Sequence, residues 1–191
     1  MRVKNEVVRQ AILRSAAIEF SEKSYLQATI SNIARRAGTS RSNLYVYFKS
    51  KLDITLAVYE PWFKDQILQL EKSVGRKKTV NSKLTRLFDG LWKDIPQHKN
   101  GMTTTLMQAL ATATPGDHYS SNLLDWTEDK ITDILISIVG QENTSKTNVA
   151  AIAHMIMLTF DGVAIRQNLQ QPKEHGNEMI AMMVKMLEPL A

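Results

Sequence analysis

Apolar residues recur three and four positions apart along almost the whole chain, and stretches that alternate them with period two are almost absent. The first spacing lines one side of a helix, whereas a half-buried strand needs the second. Only five Pro and eight Gly interrupt the pattern in 191 residues. The chain therefore reads as an all-α protein of about nine helices. A chain this long can bury roughly 70% of the surface its unfolded form exposes, enough for a core without covalent staples.

The boundaries can be read from local chemistry. Val8, Ile12, Ala16 and Phe20 line one face of a first helix. Thr29 can cap a second, with Ile30, Ile33, Ala34 and Ala37 apolar, and Gly38 suits the positive-φ position that ends it. Ser40 can cap a short third helix from Arg41 to Tyr47, with Leu44 and Phe48 inward. Ser50 and Asp53 form a variant capping box that opens a fourth helix, running to about Val74 and stopping at Gly75. Pro61 lies inside it and predicts a kink near 57–61. Further helical segments are expected at roughly 80–95, 99–113, 117–139, 145–170 and 177–188, punctuated by Pro96, Gly101, Pro115-Gly116, Gly140 and Pro172.

Charge is distributed unevenly. Residues 1–51 hold ten Lys/Arg against three Asp/Glu, and residues 52–191 hold 14 against 16. A basic segment on a nearly neutral body is the electrostatic footprint of a module that meets a polyanion. The basic run Arg76-Lys77-Lys78 after Gly75 reads instead as a solvated turn. There is no Cys, so disulfide scaffolds, thiolate zinc sites and thiol nucleophiles are excluded, and a cytoplasmic setting is compatible. No uninterrupted run of 18 apolar residues occurs, and the basic N-terminus leads into no apolar h-region, so neither a membrane-spanning helix nor a signal peptide is expected.

Residues 29–48, TISNIARRAGTSRSNLYVYF, form a helix-turn-helix candidate. Small Ala34 lets the two helices cross closely, Gly38 permits the turn, and Ile33, Leu44 and Phe48 supply the apolar contact. The following helix begins Ser40, Arg41, Ser42, Asn43, a set of short or basic donors at the end of a recognition helix that meets base edges. Here the sequence resembles the TetR family of bacterial transcriptional regulators. The resemblance rests on Ile12, Ala16, Ala17 and Phe20, then Thr29, Ile33-Ala34, Ala37-Gly38, Ser40, Leu44-Tyr45, Phe48, Ser50-Lys51 and Leu56, and covers about residues 7–60. The family often has Gly where this chain has Ser24, Gly or another small residue at Ser42, and Thr, Ser or Ala where Asn43 stands.

The resemblance implies a DNA-binding domain at 1–51 and a helical ligand-binding and dimerisation domain at 52–191. It implies that Thr29 offers its hydroxyl to a phosphate and that Lys51 is a phosphate-contacting lysine. Arg41 and Asn43 are the candidates for base readout, with Ser42 beside them. Asn can pair bidentately with adenine, so Asn43 carries a base preference of its own. Tyr45 and Tyr47 are candidates for phosphate or thymine-methyl contact, and Arg2 and Lys4 for a basic arm. Arg35 and Arg36 read as surface charges.

A single helix-turn-helix gives little specificity, so a homodimer reading a palindromic operator in double-stranded DNA is expected. Its interface candidates are Ile152, Ile156, Phe160 and Val163 on one segment and Met179, Met183 and Met186 on the next. Six of nine Met lie in 155–186, which suits an adaptable apolar contact. By resemblance a small-molecule inducer binds among the middle helices and releases the DNA, repression being the family's usual mode. Trp62, Phe63, Phe88, Trp92, Met107 and Trp126 are candidates for its lining, and Asp161 for a polar anchor.

Enzymatic readings find little support. No GxSxG, Walker or GxGxxG string occurs, and His98, His118, His154 and His175 show no HExxH or other close ligand pairing. No cofactor and no metal are expected. The alternative is a helical dimeric ligand-binding or interaction protein that keeps the helix-turn-helix only as a fold element, and the basic N-terminal module argues against it. A membrane-surface role lacks a segment that joins a basic face to a strongly apolar one.

Overall fold

The computed structural model describes residues 5–97, 101–117, 119, 122–140, 146–168 and 176–188. Among these residues there are nine α-helices and no strand. They are α1 (Glu6–Gln27), α2 (Ile30–Arg36), α3 (Arg41–Tyr47), α4 (Lys51–Gly75), α5 (Val80–Asp89), α6 (Met102–Ala111), α7 (Asn122–Val139), α8 (Lys146–Asn168) and α9 (Gly176–Leu187). A π-helical turn, Gly90–Asp94, continues α5, and a 3₁₀ turn, Pro115–Asp117, follows α6.

The helix ends follow the caps read from the sequence. Thr29 Oγ1 accepts from the Asn32 amide at 3.2 Å, and Ser40 Oγ accepts from Asn43 N at 3.1 Å. Gly38 has φ 66°, as its turn requires. At the start of α4, Ser50 Oγ accepts from Asp53 N, but the reciprocal carboxylate bond goes to Lys49 N, one residue before the cap. Pro61 lies exposed inside α4, and helix continues on both sides of it.

One backbone feature is not legible in the helical periodicity. Ser24, within α1, has φ 67° and ψ 167°. The chain kinks there, and the Ala28 amide donates to Ser24 O at 3.1 Å. A residue with a Cβ is strained in this region, which is nearly glycine's alone.

The chain divides into two compact units, residues 1–63 with 99–120 and residues 64–98 with 121–191. The division differs from a boundary at residue 51 for two reasons. Helix α4 starts in the first unit and ends in the second, and α6 packs on α1. Ala109 of α6 is fully buried in the same core as Ile12, Phe20, Ile33, Leu44 and Phe48. The Phe20 ring lies 6.0 Å from that of Tyr25 and 6.1 Å from that of Tyr59, in tilted pairs.

In the second unit α7 packs on α8, α5 on α9, and the π turn on α8. Phe88, Leu91, Ile131, Ile156 and Phe160 are buried there. Thr127 and Thr132 are buried as well, and each hydroxyl donates to the carbonyl four residues earlier. At Gly90, the Leu70 side chain fills the space a β-carbon would need, so α4 packs a side chain directly on the backbone of the π turn. Helix α8 is long and apolar enough over Asn148–Arg166 to cross a membrane by length and composition alone, with mean hydropathy 1.6. An unbroken apolar run was not found there because His154, Asp161 and small polar residues punctuate it.

Candidate functional site

Helix α3 begins one residue after the turn at Gly38 and Thr39. The Thr39 amide donates to Ala34 O at 3.0 Å, which fixes the turn to the end of α2. Arg41, Ser42, Tyr45 and Val46 are exposed on α3. The spacing i, i+1, i+4, i+5 places them on one side of the helix, opposite buried Leu44. The Arg41 guanidinium has no side-chain partner among the described residues, so its five donors and its charge face solvent.

The other candidates have internal bonds. Thr29 and Ser40 hold helix caps, and Ser40 Oγ is also 3.0 Å from Ser42 Oγ. Asn43 is half-buried, and its Nδ2 donates to Thr39 Oγ1 at 2.7 Å. Tyr47 OH accepts from the Asn5 amide at 3.1 Å.

Lys51 is half-buried. Its Nζ donates to Tyr25 O at 2.9 Å and Ala28 O at 3.2 Å, and sits 4.1 Å from the Tyr25 ring centroid. Burial pushes this ammonium below the usual lysine range, and Asp117 opposes the shift. The ammonium thus ties the end of α1 to the start of α4.

Helix α2 is held from behind by an acid that sequence reasoning missed. The Glu19 side chain is only 1% exposed. It accepts from Lys23 Nζ at 2.9 Å and lies 3.5 Å from Arg36 Nη2. The Lys23 bond holds the carboxyl below the ordinary glutamate range against burial, which raises it, and an Asn32 bond adds to the lowering. Arg36 also pairs with Glu22. A Glu in an apolar heptad position was the available signal.

The candidate ligand residues fall in both units. In the first, Phe63 is buried, and Trp62 and Met107 are half-buried. In the second, Phe88 and Trp92 are buried with ring centroids 4.6 Å apart, and Trp92 Nε1 has no hydrogen-bond partner among the described residues. Trp126 is half-buried, with Lys64 Nζ 5.1 Å above its ring. Asp161 is half-buried, and burial, then Glu128, raises its carboxyl above the ordinary range. Glu128 also meets His154 Nδ1 at 2.8 Å. Two open grooves occur in this unit, one of about 320 Å³ between α5, the π turn and α9, and one of about 440 Å³ between α4, α5 and the π turn. Neither is lined by any of the seven candidates.

Among the candidate interface residues, Ile156 and Phe160 are spent on the chain's own core. Ile152, Val163, Met179 and Met183 are half-buried, and Met186 is exposed. The outward apolar side chains of α8 are instead Met155, Leu158 and Ile165, and those of α9 are Met182 and Met186. Helix α8 is apolar nearly all round, so a stripe read from spacing did not distinguish inside from outside. Arg2, Lys4, His98, His118 and His175 lie outside the described residues.

A three-helix, basic helix-turn-helix unit with an exposed recognition face defines a class of DNA-binding fold, and residues 12–58 match the family described as bacterial regulatory proteins, tetR family. The family likeness is that of this N-terminal segment, residues 12–58. It is 34% identical over 70 residues to the fatty acid metabolism regulator protein of Bacillus subtilis (strain 168). That match spans 36% of this chain and only 36% of the regulator. The fold is similar to the transcriptional regulator FadR from Bacillus subtilis in complex with stearoyl-CoA, with TM-score 0.67 and 19% identity over 96% of this chain and 99% of that one. It is also similar to the fatty acid degradation regulator FadR from Bacillus halodurans, with TM-score 0.67 and 18% identity over 94% and 97%.

Proposed function

We propose that this chain is a cytoplasmic transcriptional regulator that binds a palindromic operator as a homodimer and leaves it when a small-molecule effector binds the body. The observation that carries the reading is the exposed side of α3. Among the described residues Arg41 has no side-chain partner there, beside Ser42, Tyr45 and Val46, while bonds at the caps and turn hold the helix. An unpaired guanidinium at the start of such a helix matches the two acceptors of guanine in the major groove. Exposed Val46, which the sequence reading passed over, suits a thymine methyl.

The exposed Met155, Leu158, Met182 and Met186 support dimerisation, since a lone chain would leave them in water. The effector class follows from the relatives' names. A long-chain acyl thioester such as stearoyl-CoA is the class they suggest, and the apolar core around Phe88 and Trp92, whose indole N–H has no partner among the described residues, supports an apolar effector. The effector acts by population shift, binding better to a state in which the two recognition helices no longer match major grooves about 34 Å apart. A coupling of about 1–3 kcal/mol weakens DNA binding about 5- to 150-fold.

Selection of bound fragments from random duplex DNA at low salt tests the reading. The expected product is a palindrome, with Arg41→Ala erasing a guanine preference in each half and stearoyl-CoA releasing the complex. Absence of any enriched sequence refutes the DNA-reading function. Release unaffected by stearoyl-CoA refutes the effector class alone.

A further inference from the structure

Ala28 is the single residue between α1 and Thr29, the N-cap of α2. Both of its backbone polar groups are held. Its amide donates to Ser24 O at 3.1 Å, and its carbonyl accepts from Lys51 Nζ at 3.2 Å. Lys51 Nζ spends a second N–H on Tyr25 O at 2.9 Å and lies 4.1 Å from the Tyr25 ring centroid. The direction of these bonds is set by chemistry, since an ammonium only donates and a carbonyl only accepts. At most one of the three N–H groups is therefore left for anything outside the chain. The next residue, Thr29, is exposed. Its Oγ1 accepts from the Asn32 amide, which leaves the hydroxyl hydrogen to donate.

We propose that Lys51 is a positioning residue for a phosphate contact made by Thr29: its ammonium is spent inside the protein, where it seats Ala28 and so sets where the Thr29 hydroxyl stands. The inference rests on the DNA-reading function proposed above. The two roles a lysine can have here leave opposite signatures. A lysine that neutralises a phosphate releases a counterion, and its loss flattens the slope of log affinity against log salt by about 0.9. A lysine that acts through a neutral hydroxyl changes affinity and leaves the counterion count alone. Its loss takes the partner from the carbonyl of Ala28, a residue only 2% exposed, at the point where α2 begins.

The test compares wild type, Lys51→Met, Thr29→Val and the double variant on an operator duplex selected by wild type, by fluorescence anisotropy between about 50 and 200 mM salt. Lys51→Met keeps an unbranched side chain without donors. It should weaken binding about 3- to 10-fold at every salt concentration, with the wild-type slope. In the Thr29→Val background the same change should weaken binding less than about twofold, because the group it positions is already gone. Circular dichroism at the assay temperature checks that each variant is helical. A second measurement uses wild type itself. In lysine ¹⁵Nζ spectra, one slowly exchanging ammonium signal should be present before any DNA is added, assigned by its loss in Lys51→Arg. A slope flattened by about 0.9 in Lys51→Met, an equal fall in both backgrounds, wild-type affinity in Lys51→Met, or no protected ammonium in the DNA-free protein overturns the role while the DNA-reading function stands. A random pool from which wild type enriches no duplex removes both.

Discussion

Ser24 is the clearest place to weigh strain against sequence. Its φ of 67° and ψ of 167° fall where a side chain costs about 1–3 kcal/mol. Ser24→Gly removes the Cβ and that cost. Glycine in turn adds about 0.5–1 kcal/mol of conformational entropy to be lost on folding. Nothing else is given up. The Ser24 hydroxyl holds no hydrogen bond among the described residues, and the bond from Ala28 N to Ser24 O uses only backbone. The net expectation is a gain of about 1 kcal/mol. For a chain of this size that raises the melting midpoint by about 2–4 °C. Thermal unfolding followed by circular dichroism at 222 nm measures it. Ser24→Ala is the control, because it deletes the hydroxyl and keeps the Cβ, so the midpoint should not rise. If Ser24→Gly melts at or below wild type, or if both variants shift alike, the strain argument is wrong.

Two further outcomes are expected. The lowered carboxyl of Glu19 stabilises the fold fully above its unfolded value, about pH 4.3, and that contribution fades as pH falls through the still lower folded value. Glu19→Gln should therefore cost about 1–3 kcal/mol at pH 7, with the gap to wild type narrowing below about pH 4 in denaturant melts. A constant gap across that range would remove the ion pair as its cause. Leu158 is 58% exposed and Met182 is 66% exposed. In sedimentation velocity, Leu158→Glu and Met182→Glu should convert a dimer to monomer at micromolar concentration. A dimer that persists in both variants would place the interface elsewhere.

What the sequence made legible was local. Thr29, Gly38 and Ser40 act within a few residues of themselves, and the ends of α2 and α3 fall where those residues place them. The start of α4 falls directly after Ser50, as its cap places it, and only the return bond of the box differs, the Asp53 carboxylate accepting from Lys49 N and not from the cap amide. The resemblance gives Lys51 a phosphate contact, and no local pattern shows that the fold also brings the Tyr25 and Ala28 carbonyls to it across more than twenty residues. Ser24 gave no sign of its φ in the apolar pattern, although glycine at that place in the family was a hint. The membership of α6 in the first unit depends on packing against α1, which periodicity does not encode. For α8, apolar residues on nearly every side concealed which side faces water, and Ile156 and Phe160 turned inward while Met155 and Leu158 did not.

The contact at Gly90 has a mechanical consequence. With only a hydrogen between the π turn and Leu70, the later half of α4 packs its side chain directly on the backbone of that turn. Position 90 is therefore a point where even a methyl group would force the Leu70 side chain out of its seat.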